Sequence, residues 1–209
     1  MGAYQGLGYK KGVVFIPQQL TLFAQHIGDD SHTLPDGSTT TDYILTRSLL
    51  PSANEGSVDS LSASVTATSE TLVINRRFYW WEDLIGDAYL MGDFFAKARL
   101  AIAGDGSNDI YLTKVAFDIE AINKSGYHEV IATKTITFST PPHTSSTTES
   151  SVVVAGLVKA GSIVRFRMYN DLSLRIRAWG YVAAGSGTMK LYFAPGNDDT
   201  YLVVNYAEG

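Results

Sequence analysis

The chain has 209 residues, of which 45% are hydrophobic and 18% charged, and its formal net charge is −5. So large an apolar fraction excludes a wholly disordered chain, and the acidic balance argues against a protein that coats nucleic acid through a basic surface. The absence of cysteine excludes disulfides, Cys-ligated metal sites and thiol nucleophiles.

The N-terminal region carries no recognisable export signal. The start, MGAYQGLGYKKGVVFIP, has an apolar run of only four residues, Val13–Ile16, and no cleavage site of small residues follows it. No stretch of 18 apolar residues occurs in the chain, so the sequence predicts no membrane span. We therefore expect synthesis in the cytoplasm and no membrane partner.

Residues 1–60 are predicted to form an extended arm rather than a domain. They are rich in glycine and turn residues, and their apolar stretches are short. Ordering a backbone costs roughly 1–2 kcal/mol per residue, so an ordered arm must dock. The side chains expected to dock, on a sheet edge or in a groove and partly on another subunit, are Val13, Phe15, Leu20 and Phe23. Removing residues 1–24 should then weaken assembly and leave the remaining domain folded.

Residues 61–209 are predicted to form an antiparallel, jelly-roll-like β-sandwich. Ten strand-length segments are separated by Gly, Asn, Asp and Ser clusters: Ser62–Thr68, Thr71–Tyr79, Phe94–Ala103, Ile110–Ile122, Tyr127–Ser139, Ser151–Val158, Ile163–Tyr169, Leu172–Val182, Thr188–Phe193 and Tyr201–Tyr206. Alternation supports this interpretation, because Phe117 and Ile119 fall on one face of their segment and Asp118 and Glu120 on the other. Ten short strands at regular intervals are typical of sandwiches and barrels.

One segment departs from the strand pattern. Trp81, Leu84, Ile85 and Ala88 recur three and four residues apart, as on one face of a helix. The spacing predicts a short helix over Trp81–Leu90, so we expect at most one or two short helices in the fold.

The run Phe78–Trp81 places four aromatic side chains together. Buried rings would add to the core or to a subunit interface, whereas exposed rings could stack on sugar rings or bases. Because a strand alternates its faces, some of these rings must point away from the core. We favour the core or an interface, and Trp80 and Trp81 are interface candidates.

No motif in the sequence identifies an enzyme. Neither of the common phosphate-binding loop patterns occurs, and the four histidines lack the spacing of metal ligands. Residues Asp105–Asp109 place oxygens at alternate positions, as a calcium loop does, but the distal Glu of the full pattern is missing and a hairpin turn between the flanking strands is the favoured interpretation. We predict a protein without catalytic residues or cofactor, and the question of calcium at this loop stays open.

Four arginines flank the turn at residues 170–171: Arg165, Arg167, Arg175 and Arg177. A hairpin with a three-residue loop would place all four on one face, and like charges directly opposite each other destabilise a sheet. Carboxylates on a neighbouring strand, such as Asp118 and Glu120, could offset them internally. The alternatives are the acidic surface of a protein partner, and a nucleic acid or small anion.

The closing segment, LVKAGSIVRFRMYNDLSLRIRAWGYVAAGSGTMKLYFAPGNDDTYLVV, resembles the last strands of jelly-roll-type structural proteins from the particles of tailed bacterial and archaeal viruses. It shares with them a strand led by glycine, a hairpin, a Gly-Ser-Gly turn and a final strand anchored by Asp-Thr. The resemblance implies a capsid decoration, minor capsid or tail component without enzymatic activity. Such a protein would bind copies of itself and other virion proteins, would not bind nucleic acid, and would reside in the virion after synthesis in the host cytoplasm.

A carbohydrate-binding β-sandwich module is the alternative. It would share the sandwich, the aromatic side chains and the option of calcium in a turn, but such modules are normally exported. A sugar binder should expose Tyr79, Trp80 or Trp81 as a flat platform beside a cleft. An assembly protein should bury them under its own chain or a neighbour.

Overall fold

The computed structural model of the protein describes residues 18–33, 39–47, 59–80, 88–90, 92–123, 125–159, 164–166, 171–193 and 199–208. Every regular element within these ranges is a β-strand, which confirms the predicted all-β class. A search of the same ranges for a helix able to cross a membrane finds none.

The strands described in these ranges are β1 (Gln18–Thr33), β2 (Thr39–Thr46), β3 (Ser60–Val65), β4 (Thr71–Trp80), β5 (Ala88–Leu90), β6 (Phe94–Ala103), β7 (Ile110–Ile122), β8 (His128–Thr137), β9 (His143–Thr144), β10 (Ser150–Val158), β11 (Val164–Phe166), β12 (Asp171–Val182), β13 (Gly187–Tyr192) and β14 (Tyr201–Glu208). Each of the ten segments predicted as strands after residue 60 overlaps one of them.

The strands form one sheet that folds over on itself around a single core. Its order is β3-β13-β6-β14-β1-β2-β4-β12-β7-β8, with β10 paired to β6, β5 paired to β14 and β11, and β9 paired to β7. Among these described pairs only β2 with β4 is parallel. Side chains from β13, β6 and β14 and from β4, β12 and β7 meet in one buried cluster, which gives the sandwich-like arrangement.

Alternation along the strands builds the core. On β7, Phe117 and Ile119 belong to the buried apolar cluster, whereas Asp118 and Glu120 lie on the opposite, outer face. On β12, Leu174 occupies the inner face in the same way. Fully burying an apolar side chain of this size contributes about 1.5–3 kcal/mol. The faces predicted for these residues of β7 and β12 are therefore confirmed.

The first strand lies in the interior of the sheet. β1 pairs with β14 on one side and with β2 on the other, and its residues Leu22 and Ala24 are fully buried. The segment Leu20–Phe23 thus docks by strand addition on the sheet of its own chain, and strands on both sides of residue 60 share that sheet. A contribution from another subunit stays a prediction, and Val13 and Phe15 lie outside the described residues.

The predicted helix is wrong at its C-terminal end. Ala88–Leu90 is strand β5, which pairs with β11 on one side and with β14 on the other. These partners come from far along the chain, so the ladder that overrides the helical spacing could not be seen locally. Residues 81–87 lie outside the described residues.

Gly180 is predicted to tolerate no side chain. It follows a register shift in β12, and a Cβ there would lie 2.4 Å from the carbonyl oxygen of Tyr111 and 2.8 Å from Cε of Met189. Because that carbonyl belongs to a central strand, we expect Gly180→Ala to lower the free energy of unfolding by about 2 kcal/mol. Urea denaturation measures the loss.

Gly156→Ala is the matched control for this substitution. Its Cβ would meet only side-chain atoms, the nearest being Cδ1 of Ile136 at 3.3 Å. These atoms can shift, so the loss should be clearly smaller. Equal losses of unfolding free energy at the two glycines would show that the close approach of the Tyr111 carbonyl does not make Gly180 the more sensitive position.

Candidate interaction surfaces

The charged grid covers the outer face of β4, β12 and β7. It consists of Arg77, Asp118, Glu120, Arg175 and Arg177. Register places Arg175 of β12 between Arg77 of β4 and Asp118 of β7. The guanidinium groups are partly exposed, but the side chains of Asp118 and Glu120 are only 2% and 1% exposed. The arginines therefore form a partly exposed layer over two buried carboxylates.

Glu120 ties its own strand to three others. Its Oε2 accepts a 2.6 Å hydrogen bond from Nε of Arg77 and a 3.2 Å bond from Oγ of Ser173, and it lies 3.2 Å from Nδ1 of His128. Its Oε1 lies 3.3 Å from Nη2 of Arg77 and 3.6 Å from Nη1 of Arg175. A buried carboxylate needs such partners to replace the water that it has lost.

Asp118 has an equivalent role two residues earlier on β7. Its Oδ1 accepts hydrogen bonds from Oγ1 of Thr133 at 2.6 Å and from Nη2 of Arg177 at 2.8 Å. Nε of Arg177 lies 2.7 Å from Oδ2 but makes no hydrogen bond, so that contact is electrostatic. Arg175 completes the grid by donating from Nε to Oδ1 of Asn75 at 2.7 Å.

Internal pairing with Asp118 and Glu120, which was among the three predicted alternatives, is present for Arg175 and Arg177. The predicted hairpin with four arginines on one face is wrong, because β11 pairs with β5 while β4 and β7 occupy both edges of β12. Arg165 lies in β11, where only the backbone is described, and Arg167 is outside the described residues.

Sequence reasoning missed Arg77, Thr133 and His128 as partners in this region. Alternation along Thr71–Trp80 carries a signal, because it places Arg77 on the face away from Phe78. That β4 and β8 flank β12 and β7 is not visible in any local pattern.

The charged grid makes the stability of the fold depend on pH. Burial by itself raises the pKa of Glu120, but the hydrogen bond and charge of Arg77 and the contact with His128 outweigh it, so that the pKa is lowered. The unfolded chain then binds more protons than the folded one, and stability falls as the pH drops below about 4.5. We expect Glu120→Gln to remove some of this pH dependence. Urea titrations at several pH values between about 3 and 7 measure it, and equal slopes for both proteins would contradict the assignment.

Serine, histidine and a carboxylate are the residue types of hydrolase triads. The spatial arrangement of Ser173, Glu120 and His128 does not suit hydrolysis. A serine nucleophile needs a histidine to accept its proton and an acid to orient that histidine. Here the Ser173 hydroxyl and the His128 ring both contact Glu120, so the carboxylate lies between them, and Ser173 is fully buried. His26 packs edge-on against Tyr43. Among the described residues no group of side chains suited to hold a metal ion occurs.

The Asp105 carboxylate accepts hydrogen bonds from N–H groups of its own loop. Oδ1 of Asp105 accepts from the backbone of Ser107 at 2.9 Å and of Asn108 at 2.7 Å, and Oδ2 accepts from the Asn108 amide at 3.0 Å. These bonds, the Asn108 side chain first, hold the pKa of Asp105 well below its usual range. The carboxylate therefore faces donors rather than a cation site. The flanking strands β6 and β7 do not pair with each other, so the loop is not a hairpin turn.

Trp80 is a core residue. Its side chain is buried and meets the ring of Tyr206 edge-on at 6.4 Å between centroids. It is therefore covered by its own chain, as the favoured interpretation held, and is neither an exposed platform nor an interface residue. Trp81 lies outside the described residues.

Other aromatic side chains on the outer face of β7 and β12 are occupied by neighbours. The rings of Tyr111 and Tyr181 stack with 4.7 Å between their centroids. Nζ of Lys114 lies 4.9 Å and Cζ of Arg177 5.1 Å from the centroid of the Trp179 ring. These contacts leave the rings poorly placed to stack on a sugar.

The apolar patch lies on the outer face of the other layer. It consists of Phe23 on β1, Phe95 on β6, Leu157 on β10, and Tyr201 and Val203 on β14. Leu157 and Val203 flank Phe95 from either side, and Tyr201 lies opposite Phe23. Leu157 is 47% exposed and Phe95 36%. The remaining predicted interface residue of β1, Leu20, packs against the core instead.

Cations border the apolar patch. Nζ of Lys97 lies 5.1 Å from the centroid of Tyr201. Arg99 contacts Asp199 at 3.1 Å. The patch thus has an apolar centre and a polar margin.

No known protein family matches the sequence, and no curated protein does. Similar solved structures include the CocE/NonD family hydrolase SACOL2612 from Staphylococcus aureus, at 11% identity and a TM-score of 0.49 over 91% of this chain and 37% of the hydrolase. They also include VP2 of the infectious bursal disease virus subviral particle, at 10% identity and a TM-score of 0.33 over 94% of this chain and 58% of VP2. The chain thus spans less than two thirds of either protein. At such low identity the likeness concerns the β-rich fold alone.

Proposed function

We propose that the protein is a non-enzymatic structural component of a virus particle, which assembles with copies of itself and with other virion proteins. The observation that carries the proposal is the apolar patch, where large side chains from four adjacent strands lie together on an outer face. Contiguous exposed apolar surface with a polar margin is typical of a protein interaction site.

The patch has the composition of a protein interface. The Phe95 and Tyr201 rings lie 6.2 Å apart, and the Phe23 and Tyr201 rings 6.4 Å apart. Aromatic side chains are enriched at the centres of interfaces and charged ones are depleted, with polar groups at the rim. Because the rings stand on paired strands, little ordering entropy is lost when a partner covers them.

The sequence of the last strands supports the proposed setting in a virion. Residues 157–204 resemble the closing strands of virion structural proteins, and the finer proposal is a capsid decoration, minor capsid or tail component made in the host cytoplasm. The absence of catalysis belongs to the same proposal. It is supported by the burial of Ser173 and by the position of Glu120 between that serine and His128.

Replacing Phe95 with glutamate tests the proposal. We expect the wild-type protein to form a defined oligomer or larger particle, and Phe95→Glu to weaken that association by about tenfold or more, since the charge must be desolvated. Light scattering and electron microscopy measure the mass of the particle. Val130→Glu is the control, because Val130 is also exposed but lies on β8. A wild-type protein that stays monomeric at high concentration would remove the proposal.

A further inference from the structure

We infer that the free edge of β10 is a docking site for β10 of a second copy, so that the two strands pair antiparallel about a twofold axis. The inference rests on the proposed self-assembly and names its geometry. The groups involved are the backbone N–H and C=O groups along the edge of β10, whereas the apolar patch consists of side chains on the outer face of the sheet.

One side of β10 is fully paired and the other is open. β10 pairs with β6 along its whole length, from Ser150 opposite Ile102 to Val158 opposite Phe94, without a register shift. Within the stretches of chain that the structure describes, no other strand pairs with β10. Side chains of β8 approach it at Gly156, where they meet its inner face. The N–H and C=O groups along the other edge of this nine-residue strand are therefore paired with no strand among the described residues.

The β10 edge lacks the devices that protect sheet edges in monomeric proteins. Such edges are kept short or carry charges, proline or a bulge. The sequence of β10, SSVVVAGLV, contains no charged residue and no proline. By contrast, β8 at the end of the sheet order carries Glu129 and Lys134 and a register shift, and β3 has only six residues. Among these edges, β10 is the one that suits strand addition.

A second copy is the partner that this edge fits. Antiparallel pairing of β10 with itself, centred for example on Val154, places Val153 beside Ala155 and Ser151 beside Leu157 of the other copy. Residues on the outer face thus stay on the outer face, and no like charges are brought together. Val153 is 60% exposed, so the pairing also covers apolar surface and joins the apolar patches of the two copies through Leu157.

A charge-exchange experiment tests the pairing on the full chain. One variant carries Val153→Lys with Ala155→Lys, and the other carries Val153→Glu with Ala155→Glu. Both positions are exposed on the outer face, opposite Arg99 and Lys97 of β6 in the same chain, and circular dichroism checks that each variant stays folded. We expect each variant alone to associate about tenfold or more weakly than wild type, because it places like charges opposite each other, and an equal mixture to recover association.

The outcomes separate this inference from the proposed function. Charged variants that associate like wild type would show that the edge is not used, and the apolar patch would remain as the assembly surface. Weak association that mixing does not restore would show that β10 pairs with a different strand or a different protein, which overturns pairing with itself. A monomeric wild type would remove the proposed function and the inference together.

Discussion

Deletion of residues 1–24 is expected to unfold the domain. The deletion removes the whole segment of β1 that pairs with β14, Gln18–Phe23, and takes the buried side chains Leu22 and Ala24 out of the core. A buried leucine contributes about 1.5–3 kcal/mol, and the ladder between β1 and β14 is lost as well. The stability of a typical domain is only about 5–15 kcal/mol in total. Far-ultraviolet circular dichroism and urea denaturation measure the result.

This expectation reverses the one drawn from the sequence, in which the region is an arm and its loss only weakens assembly. A pair of point variants separates the two. Leu22→Asp buries a charge without a partner, whereas Thr21→Asp places the same charge one residue away on the outer face, opposite Val203. We expect Leu22→Asp to unfold the protein and Thr21→Asp to leave it folded. A stable Leu22→Asp variant would favour the arm.

Replacing Glu120 with alanine is expected to lower the free energy of unfolding by about 3 kcal/mol. The substitution leaves the hydrogen-bond donors of Arg77 and Ser173 and the charge of Arg175 without their acceptor. Removing one partner of a buried ion pair typically costs about 3–5 kcal/mol. The lower end applies here because the guanidinium groups are partly exposed and can regain water. Urea denaturation near neutral pH measures the change.

Glu149→Ala is the matched control for Glu120→Ala. Glu149 pairs with Lys190 and with Tyr192, but it lies at the surface, with its side chain 35% exposed. Surface ion pairs contribute about 0–1 kcal/mol, so this substitution should have little effect. Similar losses at the two positions would mean that the burial of Glu120 does not set the strength of the grid.

Substitutions in the charged grid and in the apolar patch should have different effects in these experiments. In the charged grid the arginines are matched to buried carboxylates of the same chain, so changes there should affect folding first. In the apolar patch the large side chains Phe95 and Leu157 remain exposed, so changes there should affect association first. A variant of the patch that unfolds the protein would contradict this division.

The sequence alone was sufficient for the fold class and for the inner and outer faces of β12 and of the second half of β7. Alternation separates Phe117 from Asp118 on β7 and Leu174 from Arg175 on β12, because a strand places successive side chains on opposite faces. Burial of the apolar set then follows from the hydrophobic effect. The same reasoning identified Asp118 and Glu120 as carboxylates able to offset Arg175 and Arg177, since charges on the outer faces of neighbouring strands meet.

Only the tertiary structure decided which strands are neighbours. Ladder hydrogen bonds are made by backbone groups that nearly all residues carry, so no local pattern shows that β12 lies between β4 and β7, or that β1 lies between β14 and β2. The helix predicted over Trp81–Leu90 failed at β5 for this reason, and Arg77 was missed as a partner of Glu120. Pairing is settled when all the apolar faces are buried together, and each contact of the charged grid joins residues that this pairing alone brings into reach.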